Sequence, residues 1–322
     1  MKAALYDRTG KASDVLRLEE VARPEPGPGE VRVRVRVSAI NPTDFKSRSG
    51  ATPRPIDGFQ IPHQDGAGEI DAVGPGVDEA RIGQRVWLYF AAGRRWGTAA
   101  QWSVVPEQRA VPLPDGASLD LGASFGVPAM TAHRCLFADG PLDHKAVLVA
   151  GGAGAVGHFA IELAKRAGAR VASTVSSPEK GELATRAGAD RVINYRDRDA
   201  ADQVRAFAER FDRIVEVALG PNLELDLAVS GPETVIACYA ADAPDPVLPV
   251  RACMTANVTL RFILLYGVPQ PAMSQAAADI TAAAAEGALT ELPAHRFPLD
   301  DIVAAHEAAE AGVTGKVLVD IP

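Results

Sequence analysis

Cysteine is scarce in this chain. Of 322 residues only Cys135, Cys238 and Cys253 carry a thiol, with no C-x-x-C spacing and an odd count. That excludes a disulfide framework and leads us to expect a reduced, cytoplasmic compartment. Positive charge is short as well: 33 Lys and Arg face 41 Asp and Glu, a net charge of −8. Such a balance gives no support to a nucleic-acid partner. Long apolar runs are missing too. Stretches such as Phe262 to Leu265 are far too short to span a bilayer, so no membrane partner is expected. The opening Met1-Lys-Ala-Ala-Leu-Tyr-Asp7 lacks the apolar centre of a signal peptide.

What is present is ordinary globular composition, 47% hydrophobic and 23% charged, in a chain long enough for two domains. Up to about Pro114 the texture is short strands and turns. Val31-Arg-Val-Arg-Val-Arg-Val37 alternates with a period of two, which predicts valines on one face and a solvated Arg32, Arg34 and Arg36 on the other. Gly66–Val73 and Gln84–Leu88 are expected strands. Beyond Asp120 strand and helix alternate. Val147–Ala150, Ala169–Thr174, Arg191–Tyr195, Arg213–Val217 and Thr234–Tyr239 are expected strands. Helices are expected through Ala167, from Pro178 with Ser177 as cap, over Ala201–Arg210 and over Leu223–Val229. This alternation predicts an α/β fold with a doubly wound parallel sheet. Helices over Ser274–Glu286 and around Asp301–Ala309, then a Lys316–Asp320 strand, close the chain.

The most informative segment is Lys145-Ala-Val-Leu-Val-Ala-Gly-Gly-Ala-Gly-Ala-Val-Gly157 and the amphipathic stretch after it. It reads as buried strand, glycine turn and helix. Gly152, Gly154 and Gly157 form G-x-G-x-x-G in that frame: the first for the turn, the second for approach of a pyrophosphate, the third for close packing of helix on strand. Free N–H groups and the dipole at the helix start hold phosphate. The second strand of the unit ends Ser173-Thr-Val-Ser-Ser177, with no carboxylate before Glu179. An acid there accepts ribose hydroxyls in NAD-preferring folds and repels a 2′-phosphate. Taken singly, Ser176 reads as a loop residue and Lys180 as a solvated lysine. Converging with Tyr195 on one edge of the sheet, they favour NADPH.

The chain resembles the zinc-independent medium-chain dehydrogenase/reductase proteins, specifically the zeta-crystallin-like NADPH:quinone oxidoreductases. The resemblance rests on Ala39-Ile-Asn-Pro-Thr-Asp-Phe-Lys-Ser-Arg-Ser-Gly50, Asp65-Gly-Ala-Gly-Glu-Ile70, Gly83-Gln-Arg-Val86, Gly126-Val-Pro-Ala-Met-Thr-Ala132, the glycine turn, Val192-Ile-Asn-Tyr195 and Gly315-Lys-Val-Leu-Val319. It implies a GroES-like β-rich catalytic domain over 1–123 and 267–322 and a Rossmann domain over 124–266. It further implies that Ser176, Lys180 and Tyr195 contact a 2′-phosphate, and that Gly152, Ala153, Gly154, Ala155 and Val156 form the pyrophosphate turn. Asn41 falls near the nicotinamide, and Thr131 in the segment approaching its ring. A homodimer pairing the Asn257–Ile263 edge strand is implied as well.

Zinc-bearing relatives use a cysteine near the Asn41 segment and a histidine just before the Asp65-like acid. Here there is no cysteine before Cys135, and Gln64 takes the histidine's place, with His63 one position off. No metal is expected, which removes the usual Lewis acid for alcohol oxidation. The expected substrate is therefore an activated small molecule, a quinone or an α,β-unsaturated carbonyl (an enone). Its reduction places negative charge on a conjugated oxygen that needs a donor and a proton. Many relatives have a tyrosine five residues after the matching asparagine; this chain has Lys46, which either donates to that oxygen or is a solvated loop lysine. Asn41 and Lys46 are thus the candidate catalytic residues. An enoyl-thioester or pathway-specific enone reductase is the alternative enzyme, and a non-catalytic NADPH-binding protein the alternative class.

Overall fold

The computed structural model describes residues 1–241 and 245–322. The chain forms two compact units. One comprises Met1–Pro128, Ala277–Gly287 and Glu291–Pro322; the other comprises Ala129–Ala276 and Ala288–Thr290. Along the chain the strands are β1 Lys2–Leu5, β2 Arg17–Glu20, β3 Glu30–Ala39, β4 Asp65–Val73, β5 Arg85–Leu88, β6 Trp102–Pro106 and β7 Ala110–Pro112. They continue as β8 Ala146–Ala150, β9 Arg170–Val175, β10 Arg191–Asn194, β11 Arg213–Glu216, β12 Val235–Cys238, β13 Thr259–Phe262, β14 Ala294–Pro298 and β15 Lys316–Asp320.

The first unit is built on a seven-stranded sheet in the order β14-β15-β3-β4-β5-β7, with β6 also on β3; β1 and β2 form a separate ribbon. Only β14 and β15 run parallel; the other pairs of this sheet are antiparallel. The β3 alternation buries Val31, Val33, Val35 and Val37 as predicted. Arg32, however, is buried rather than solvated. Its Nε donates to Asp71 Oδ1 at 2.8 Å, and Nη1 lies 2.8 Å from Glu25 Oε2. The reason is that β3 is an interior strand, flanked by β4, β6 and β15, with a register shift at Arg32/Val33. Trp87 is fully buried, its ring edge-on to Phe125 at 5.8 Å.

The second unit contains a wholly parallel six-stranded sheet in the order β10-β9-β8-β11-β12-β13. This is the Rossmann order, whose direction reverses between β8 and β11 and opens a ligand crevice at their carboxyl ends. All five residues of β8 are buried, as a central parallel strand covered on both faces requires. Leu148, Ala172, Ile193, Ile214 and Ile236, one from each of five neighbouring strands, share one core cluster. The Leu219–Ala228 helix begins four residues before the predicted Leu223. Pro221 lies in its first turn, where a proline's missing N–H has no intrahelical role. The edge strand β13 begins at Thr259 because Asn257, with φ 51°, caps the preceding Val250–Ala256 helix.

Candidate active site

In the second unit the turn after β8 is built by close backbone approach. The positive φ of 71° falls on Gly151, one residue before the glycine to which the motif reading assigned the turn. Gly152 instead permits contact with β9, since a Cβ there would lie 2.0 Å from Ser173 Oγ. At Gly157 a Cβ would meet Gly151 O at 2.4 Å and Gly152 Cα at 2.8 Å, so this glycine lets the helix sit on the turn. At Gly154 a Cβ would meet only Gly151 O, at an ordinary 3.4 Å. Gly154 is the extended N-cap of the Ala155–Arg166 helix and provides no side-chain cap. The first helical N–H groups, at Ala155 and Val156, therefore point outward as an anion cradle. Ala153 is buried in the turn.

Ser176 follows β9 directly, and Tyr195 follows β10, which pairs with β9 in parallel so that Asn194 faces Val175. Tyr195 N donates to Val175 O at 3.0 Å, and its ring is exposed. Ser177 caps the next helix, accepting from Lys180 N at 3.4 Å; Lys180 thus stands half-buried in its first turn. These three candidates share one sheet edge whose strand end carries no carboxylate. Arg196, which the sequence reading did not single out, holds its guanidinium 5.8 Å from the centroid of the Tyr195 ring. Thr131 lies buried in the first turn of the Met130–Phe137 helix.

In the first unit, β3 leads through Ile40 to Asn41, the N-cap of the Pro42–Ser49 helix. Asn41 is fixed at both ends of its amide. Nδ2 donates to Asp65 Oδ2 at 2.6 Å, and Oδ1 accepts from Lys316 Nζ at 2.6 Å. Lys316 Nζ also donates to Ile40 O at 3.1 Å, and Asp65 Oδ2 accepts from Val127 N at 2.8 Å. Asp44 accepts from Asn41 N at 2.8 Å and from Gln64 N at 3.1 Å. All four side chains, Asn41, Asp44, Asp65 and Lys316, are buried. Burial raises the Asp65 carboxyl to about 6 against the pull of Lys316. It raises Asp44 to about 7, with Asp65 adding to the effect. Burial also lowers the Lys316 ammonium, opposed by both carboxylates.

Sequence reading singled out Asn41 in this cluster but not its three partners. Asp44, Asp65 and Lys316 all lie within the quoted motif segments, as Asn41 does, and that shared membership was the available signal. Lys46 is half-buried on the same helix, with its carbonyl accepting from Thr52 N at 3.1 Å.

The residues at the zinc-ligand positions do other work. Gln64 gives its N–H to Asp44. His63 is buried, with Nδ1 2.8 Å from Ser38 Oγ and Nε2 3.0 Å from His306 Nε2. Burial pushes both imidazoles well below their ordinary value, so they stay neutral. Among the described residues no group of three or more His, Cys, Asp or Glu side chains is arranged to hold a metal ion. Among the same residues no helix is long and apolar enough to cross a membrane.

Residues 27–115 match the alcohol dehydrogenase GroES-like domain, and residues 155–282 match the domain described as zinc-binding dehydrogenase. Together these segments form the domain pair of a nucleotide-dependent dehydrogenase or reductase. The chloroplastic quinone-oxidoreductase homolog of Spinacia oleracea is 32% identical over 231 residues, covering 68% of this chain and 69% of that protein. The quinone oxidoreductase of Rattus norvegicus is 27% identical over 315 residues, covering 95% and 94%. A mycobacterial quinone oxidoreductase structure superposes with TM-score 0.87 at 29% identity, over 99% of each chain. A mycobacterial protein complexed with NADPH gives TM-score 0.86 at 28% identity, over 99% of this chain and 100% of that one. The chain belongs to the medium-chain dehydrogenase/reductase family, in its zeta-crystallin-like quinone oxidoreductase branch.

Proposed function

We propose that this protein is an NADPH-dependent oxidoreductase that reduces a quinone or an α,β-unsaturated carbonyl without zinc. The observation that carries the reading is the β9–β10 edge, where Ser176, Lys180 and Tyr195 gather at a strand end free of carboxylate. Hydroxyls and an ammonium there attract a 2′-phosphate. The mycobacterial relative solved with NADPH supports the same cofactor. Gly152, Ala153, Gly154, Ala155 and Val156 hold the pyrophosphate through backbone N–H groups. Bound NADPH supplies the hydride. Asn41 orients the nicotinamide, and Thr131 belongs to the segment that approaches its ring. Lys316 and Asp65 fix the Asn41 amide in one rotamer, so little side-chain freedom is lost on binding. Lys46 donates to the oxygen on which charge develops. The protein acts as a homodimer through the β13 edge, a reading supported by an open strand edge and by exposed Phe262 and Leu264.

Mixing the protein with NADPH and a panel of quinones and enones, and following the nicotinamide absorbance, tests this directly. Consumption of NADPH with at least one acceptor class is the expected result. Tight NADPH binding without turnover across the panel would make it a binding protein instead.

A further inference from the structure

Within the second unit, strand order sets the course a dinucleotide must take. The β9–β10 edge proposed for the 2′-phosphate lies on one side of β8, and the glycine turn proposed for the pyrophosphate follows β8 itself. A dinucleotide crosses such a sheet over the carboxyl ends of its strands, one mononucleotide to each half. With the adenosine end over β9 and β10, the nicotinamide end falls over β11 and β12. Neighbouring strands lie about 4.8 Å apart, so the end of β12 is about 10 Å from that of β8. That is the scale of a ribose carrying its ring.

Tyr239 is the residue that follows β12. Its N–H donates to the carbonyl of Glu216, the last residue of β11, at 3.1 Å. Val217, next after Glu216, reaches back to the glycine turn: a Cβ on Gly151 would lie 3.3 Å from Val217 Cγ1. One hydrogen bond and one side-chain contact therefore connect Tyr239 to the turn. Its side chain is half-buried, so solvent reaches it. Burial nonetheless holds the phenol well above its ordinary value, with Cys135, Glu216 and Cys238 adding to the effect. A group both open to solvent and desolvated lines a crevice. Cys135 stands one turn beyond Thr131 on the Met130–Phe137 helix. Among the described residues the Tyr239 hydroxyl has no hydrogen-bond partner, although a partly buried tyrosine ordinarily finds one.

Resting on the NADPH reading above, we infer that Tyr239 is a cofactor contact whose hydroxyl donates a hydrogen bond to the carboxamide oxygen of the nicotinamide. The phenol carries its proton throughout the neutral range, so it is a donor there. The carboxamide is the polar group of the nicotinamide ring, and its oxygen is an acceptor. One bond to it fixes the rotation of the ring about its ribose, and with it the face from which hydride leaves.

The test is a binding titration by calorimetry, on cofactor-free wild type and Tyr239→Phe. Two ligands are compared: NADPH, and 2′-phospho-ADP-ribose, which keeps both riboses and every phosphate but lacks the nicotinamide. Phenylalanine fills the same space, and the hydroxyl it removes has no partner in the protein, so the variant folds as wild type does. Tyr239→Phe should weaken NADPH about three- to tenfold, the worth of one neutral hydrogen bond, and leave 2′-phospho-ADP-ribose unchanged. A merely structural tyrosine would move both ligands together. Unchanged NADPH affinity, or equal losses for the two ligands, would overturn the contact while the NADPH reading stands. A wild type that binds neither ligand would overturn that reading, and the contact with it.

Discussion

Asn41 has both ends of its amide committed, and the partners that hold it are charged and out of water. Opposite charges held out of water on the two ends of one amide compensate each other, and removing one strands the other. Lys316→Met should therefore destabilise the protein by about 3–5 kcal/mol, read from urea unfolding. The carboxyls impose a pH dependence of definite sign. Asp65 and Asp44 bind protons more tightly folded, at about 6 and about 7, than the ordinary value of 3.8. Their contribution is complete below about pH 4 and is lost as pH rises through those values. The stability of wild type minus that of Asp65→Asn should accordingly shrink between about pH 4 and pH 7; a constant difference would show that Asp65 keeps an ordinary value. At the other unit's sheet edge, Lys180→Ala should weaken NADPH by roughly tenfold, about 1.4 kcal/mol, and barely alter NADH. Equal losses for both cofactors, measured by fluorescence titration, would remove Lys180 from the phosphate site.

The glycine turn illustrates how one element separates folding from binding. Gly157 and Gly154 belong to the same motif, yet only Gly157 has backbone where a Cβ would go. Gly157→Ala should cost about 1–3 kcal/mol of stability through the forced backbone shift. Gly154→Ala should leave the urea midpoint unchanged while raising the NADPH Kd at least about tenfold, since its methyl would project toward the bound phosphates. If both variants fold and bind alike, the turn is not the pyrophosphate site. The motif was legible because strand, turn and helix follow one another within a few residues. The positive φ at Gly151 was not, because three glycines within four residues, Gly151, Gly152 and Gly154, satisfy local turn chemistry equally. Similarly, the β3 alternation was visible, but the burial of Arg32 depends on strands added to both sides.

At the scale of the whole molecule, the parallel sheet ends on β13, where the neighbouring surface is apolar. Phe262 and Leu264 are 70% and 71% exposed. Wild type should sediment as a dimer, and Phe262→Asp combined with Leu264→Asp should give a monomer; a wild-type monomer would show that this edge stays open. The same edge was expected from the sequence over Asn257–Ile263 and is found over Thr259–Phe262. Its place at the end of the sheet follows from strand order, which no single segment contains.

The alternation of buried strands and helices, the glycine turn after β8 and the lack of an acid at the end of β9 are all short-range facts. They depend on side-chain period and backbone freedom within about ten residues, so the linear chain alone determined them. The buried cluster around Asn41 belongs to the tertiary structure. Lys316 stands 275 residues from Asn41, and they meet because β15 lies antiparallel against β3, with β4 bringing Asp65 from the other side. Desolvation then moves the carboxyls of that cluster into the neutral range, an effect of surroundings that only the folded chain supplies.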